Sequence, residues 1–132
     1  MRILTALVTC ASALLVAGPA SAEPRTVKAN TRTIVGYFAV RSAIACEIQV
    51  PDKYAISRQP SHGKVELTVR SVNLGKDAKE CPGGKGKAIV ATYTPDRNYK
   101  GRDGFVIRYE LEKYLTSVLP TSEYWRVDLN IE

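Results

Sequence analysis

The chain has little of what most enzymes use. It holds one histidine, His62, one methionine, one tryptophan and three cysteines in 132 residues. One histidine and scattered cysteines do not supply the three or four ligands of a structural zinc site. No Cys-x-x-Cys spacing supports thiol redox chemistry. Ser61 beside His62 is a sequence neighbour and not a triad. No window shows sustained helical periodicity with caps. After residue 22 no apolar run is long enough to cross a membrane as a helix.

What is present begins at the N-terminus. Arg2 gives a short positive start, Ile3 to Ala17 are uncharged, and Gly18-Pro19 breaks the run. Ala20-Ser21-Ala22 is a small-x-small cleavage signature before the polar Glu23-Pro24. That order predicts a cleaved secretory signal peptide over 1–22. A membrane anchor is disfavoured because the strongly apolar part is shorter than a span. Lipidation at Cys10 is disfavoured because the apolar segment continues past it and Thr9 precedes it. The chain is then placed outside the cytoplasm, periplasmic or secreted.

Residues 23–132 suit one domain. Of the 19 Lys and Arg, removing Arg2 leaves 18 against 13 Asp and Glu. This modest positive excess favours weak contact with anionic surfaces. No aromatic-basic motif points to nucleic acid. Cys46 and Cys81 remain as an even pair, which in an oxidising compartment predicts a disulfide.

The strand pattern is clear in places. Residues 23–32 are polar and read as a flexible N-terminal segment. Thr33–Val40, Ala43–Val50 and Tyr54–Gln59 are strand candidates, the second weaker than the others. Lys64–Asn73 alternates, with Val65, Leu67 and Val69 on one face and Glu66, Thr68 and Arg70 on the other. Residues 74–86 are a Gly- and Lys-rich loop containing Cys81. Lys87–Thr94 resumes the alternation with Ile89, Ala91 and Tyr93 inward. Gly104–Leu111 places Phe105, Ile107, Tyr109 and Leu111 on one side. Trp125, Val127, Leu129 and Ile131 form the inward row of a last strand. A period of two marks half-buried strands. About seven of them joined by Gly/Pro turns predict an all-β, antiparallel β-sandwich over 33–132 with one disulfide.

Two segments carry a resemblance. Gln59-Pro60-Ser61-His62-Gly63-Lys64-Val65 is the first. The second runs from Ala91-Thr92-Tyr93-Thr94-Pro95 through Tyr99-Lys100-Gly101-Arg102-Asp103-Gly104-Phe105 to Tyr109. Together they resemble the bacterial Ig-like, cadherin-like domains that occur in tandem in large secreted adhesins. The pattern is Pro-x-His-Gly-x-Val, then Tyr-Thr-Pro, then Gly-x-Asp-x-Phe-x-x-x-Tyr. The resemblance implies an Ig-like fold and structural roles for the anchors. Pro60, His62 and Gly63 make a turn, Pro95 ends a strand, and Tyr93 and Phe105 point inward. Asp103 accepts backbone N–H groups in its turn, and Gly101 takes a positive φ or a close approach. The chain departs from the family in having one copy, a cysteine pair and no Asp-x-Asn-Asp-Asn run. Calcium therefore has no acidic cluster to hold it, and no cofactor or metal is assigned.

The remaining candidates are weaker. Gly83-Gly84-Lys85-Gly86-Lys87 lacks the Walker spacing and a following Ser or Thr. It leaves an anion-binding or partner-binding loop with Lys76, Lys79, Lys85 and Lys87, offering free N–H groups. Glu110 and Glu112 share a strand face and read as a solvated edge balanced by neighbouring cations. Tyr99, Tyr114, Tyr124 and Trp125 are candidate contacts for a protein or glycan. The sequence thus predicts a non-catalytic binding or adhesive module of the cell envelope, monomeric or weakly self-associating. The alternative is a small periplasmic ligand-binding or inhibitor protein that grips an acidic partner through the Lys/Gly loop.

Overall fold

The computed structural model describes residues 23–41, 46–79, 81–111 and 121–132, excluding the Arg41 side chain. The expected signal peptide at 1–22, the first three residues of the 43–50 strand candidate, Glu112 and Tyr114 lie outside the described residues. The described residues form nine strands and no helix. They are β1 (Arg25–Val27), β2 (Thr33–Phe38), β3 (Val40–Arg41), β4 (Ile48–Gln49), β5 (Lys53–Arg58), β6 (Gly63–Asn73), β7 (Lys85–Pro95), β8 (Gly101–Leu111) and β9 (Thr121–Ile131).

Two sheets pack as a β-sandwich. The first has the order β1-β9-β8-β5. In the second, β7 is central, with β6 along one side and β2 and β4 sharing the other. Chain alternation explains the core. Tyr93, Phe105, Ile89, Ile107, Leu129 and Ile131 are fully buried and come from the inward rows of β7, β8 and β9. Each such side chain contributes on the order of 2 kcal/mol through removal of apolar surface from water. Trp125 closes one end, its ring 3.9 Å from Tyr109 and 5.1 Å from Phe38.

Both sheets are mixed. The β6–β7, β2–β7, β5–β8 and β8–β9 ladders are antiparallel. Two short pairings, β1 with β9 and β4 with β7, run parallel. A bulge at Ile34/Gly36 lets both Val35 and Phe38 reach the core from β2.

Residues 23–32, read from sequence as a flexible segment, are instead tied into the fold. β1 pairs with β9 and Val27 is only 1% exposed. The Ala29 N–H donates to the Glu132 carbonyl at 2.7 Å, and Glu132 N–H donates to Val27 at 2.9 Å. Asn30 and Asn98, both at positive φ, exchange side-chain and backbone bonds. One buried valine and a two-way backbone exchange outweigh the polar composition of this stretch. Within the 43–50 candidate, the described part forms a strand only at Ile48–Gln49.

Candidate functional site

One end of the sandwich is built around Asp103. Its Oδ1 accepts the Ser61 and Gly104 N–H groups, both at 2.8 Å, and Oδ2 accepts the His62 N–H at 3.0 Å. The Tyr93 hydroxyl donates to Oδ2 at 2.6 Å, with the His62 carbonyl at 3.0 Å as a second acceptor. Burial alone would raise the Asp103 pKa. The bonds from Tyr93, Ser61, Gly104 and His62 outweigh it and hold the carboxyl below the ordinary aspartate value. Burial, and then the Asp103 contact, pushes the Tyr93 hydroxyl well above the ordinary tyrosine value.

The turn anchors gather here. Gly63 lies against Tyr93: a Cβ at 63 would meet the ring at 2.5 Å. Gly101 has φ +136°, a region that side chains rarely adopt. Pro95 is the last residue of β7 and pairs with Gly63. Phe105 is fully buried two residues beyond Asp103. The imidazole of His62 stacks on the Tyr99 ring at 4.0 Å, nearly parallel. Asp103 thus contacts the backbone of His62, and the ring faces an aromatic neighbour. The Ser61, His62 and Gly104 N–H groups and the Tyr93 hydroxyl all donate to internal acceptors, so Asp103 organises backbone.

The opposite end carries the disulfide. Cys46 and Cys81 are bonded, with Cα atoms 5.4 Å apart. The bridge ties the segment leading into β4 to the loop joining β6 and β7. That loop closes on itself through Leu74 N–H to the Gly84 carbonyl at 2.7 Å. Gly83 N–H donates to Gly75 and Gly84 N–H to Cys81. The reading of Gly83-Gly84 as free N–H donors for an anion is therefore corrected, because both are satisfied inside the loop. The four lysines are divided between two elements. Lys76 and Lys79 lie in the loop, whereas Lys85 and Lys87 belong to β7, on the face it shares with Ile89.

A groove of about 920 Å³ lies on the outer face of the second sheet, walled by this loop. Tyr37, Ile48, Val72, Leu74 and Ala88 line it, and Lys79 stands at its rim. β7 explains the floor. Ala88 and Val90 point away from the core yet are 2% and 0% exposed. Tyr37, opposite Val90 in the ladder, is itself 59% exposed. None of the apolar lining residues was singled out from sequence. The available signal was the unbroken apolar run Ala88-Ile89-Val90-Ala91, since strands covered on both faces lose their alternation.

Elsewhere, Glu110 is met by Lys53 at 3.4 Å and Arg108 at 3.3 Å. Tyr124 is 59% exposed, while Tyr99 and Trp125 pack against the core cluster. Among the described residues there is no grouping of three or more His, Cys, Asp or Glu that would hold a metal. No helix among them is long and apolar enough to cross a membrane. Comparison with known proteins finds no match among family models, curated proteins or solved structures.

Proposed function

We propose that the chain is an exported, non-catalytic Ig-like module that binds a protein partner at the cell envelope through the groove beside the disulfide. The groove carries this reading: an apolar trough on an outer sheet face, with a wall fixed covalently, suits a docked segment. Its chemistry selects a segment with apolar side chains flanked by carboxylates. The floor is Ala88 and Val72, Lys79 borders it, and Arg70 lies opposite Ala88 in the ladder. Export is supported by the 1–22 leader pattern and by a disulfide suited to an oxidising compartment. The likeness to tandem adhesin domains supports a binding task and not the extended rod those arrays form.

A second reading, electrostatic capture of an acidic partner by the loop, is favoured by the exposure of Lys76 and Lys79. Salt separates the two. Chain 23–132 immobilised against an envelope extract is expected to retain its partner at high salt and to lose it with Tyr37→Asp. Retention by Tyr37→Asp, with loss at moderate salt or with Lys79→Glu, would establish the electrostatic reading instead.

A further inference from the structure

The 11-residue strand β6 pairs with β7 along its whole length without a register shift. Its other edge pairs with nothing among the described residues. Natural edge strands are usually blunted by shortness, proline, a bulge, a charge turned inward or charges along the edge. Between Lys64 and Asn73 β6 has only the last of these. Its charges, Lys64, Glu66 and Arg70, are on the outer face, and its core-side row is Val65, Leu67 and Val69. That row emerges from under the other sheet: Val65 is 6% exposed and Val69 45%.

We infer that this edge pairs with β6 of a second copy, antiparallel about a two-fold axis at Thr68. An axis perpendicular to the sheet keeps outer faces together, so a residue meets only residues of its own face. Centring on Thr68 sets Glu66 opposite Arg70 twice and Leu67 opposite Val69 twice. It also pairs all of Gly63–Asn73. The adjacent same-face registers are worse. Centring on Leu67 opposes Lys64 to Arg70, and centring on Val69 sets Glu66 against Val72 and Arg70 against Thr68, so neither forms an opposite-charge pair; the Thr68 register leaves only Lys64 facing Val72. Opposite charges directly across an antiparallel pair stabilise it, and like charges destabilise it. Glu66 holds Arg32 through Oε2 at 2.7 Å, which leaves Oε1 for the incoming Arg70. The product joins two five-stranded sheets into one and shelters the exposed Val69.

The test is sedimentation of chain 23–132 over a concentration series. Wild type is expected to show a reversible dimer. Arg70→Glu alone and Glu66→Arg alone are each expected to weaken it about tenfold or more. Mixed in equal amounts, the two variants are expected to form a heterodimer. One chain then presents only carboxylates at positions 66 and 70 and the other only guanidinium groups, so both cross-strand pairs are restored. Circular dichroism checks that each variant keeps its sheet content, since both positions are solvent-facing. A wild type that stays monomeric at millimolar concentration overturns the inference. So does a dimer unaffected by either variant, or a mixture that fails to associate while its components are folded.

Discussion

The Tyr93 hydroxyl and the Asp103 carboxylate, 2.6 Å apart, join the two sheets of the sandwich directly. Tyr93 comes from the centre of one sheet and Asp103 from the other, and the same carboxylate holds the turn at Ser61 and His62. Asp103→Asn keeps the shape but replaces an acceptor-only group that serves four donors. It is expected to lower unfolding free energy by about 2 kcal/mol. Tyr93→Phe is expected to cost about 1 kcal/mol. In urea titrations the double variant should lose less than the sum of the two, because both remove the same bond.

The same pair sets the pH dependence. The Asp103 pKa lies below its ordinary 3.8, so its stabilisation is present above that value and is lost as pH falls through the lower native pKa. The Tyr93 pKa lies above its ordinary 10.0, so its contribution is present below pH 10.0 and is lost as pH rises beyond it. Tyr109, raised by burial and then by Glu123, acts in the same alkaline direction. Thermal melts across pH should show a flatter acid limb in Asp103→Asn. Tyr93→Phe should flatten the alkaline limb in part, with Tyr109 accounting for the rest.

The turn itself separates side chain from backbone. His62→Ala removes only a stack on Tyr99 and is expected to cost about 1 kcal/mol or less. Gly63→Ala drives a methyl into the buried Tyr93 ring and is expected to cost about 2–3 kcal/mol. Equilibrium unfolding that ranks His62→Ala as the more damaging variant would contradict the geometry.

Removing the disulfide by Cys46→Ser with Cys81→Ser is expected to cost about 2–4 kcal/mol, given a sequence separation of 35. The damage should be uneven. Amide exchange should rise most at Leu74, Ala78, Gly83 and Gly84, whose bonds close the loop, and least in the β8–β9 ladder. Uniform loss of protection would show that the bridge supports the whole sandwich rather than one wall of the groove.

Much of this architecture was legible in the sequence because most long strands alternate. β6, β8 and β9 announce their inward rows residue by residue, and Trp125 to Ile131 needed no tertiary information. What failed was non-local. β1 is three residues of ordinary polarity, and only the parallel partner β9 makes it a strand. The Ile48–Gln49 fragment is too short for any period to register, and its place beside Gly86 depends on a contact far along the chain. The groove hid for a related reason. Its floor is made of small residues that look like core, and which face Ala88 occupies is settled only by the ladder. Asp103 was identifiable as a backbone acceptor, but its reach to Ser61 and Tyr93 crosses from one sheet to the other.

The parallel seam between β1 and β9 has a kinetic consequence. Val27 and Ile131 sit side by side, each about 2% exposed or less, although nearly the whole described chain separates them. Closing that seam is a contact of very high order, whose loop-closure entropy is expected to slow folding. A polypeptide emerging N-terminus first leaves β1 unpaired until β9 appears. Until then the buried face of β9's partners is open to chaperones, to proteases and to other copies of the chain.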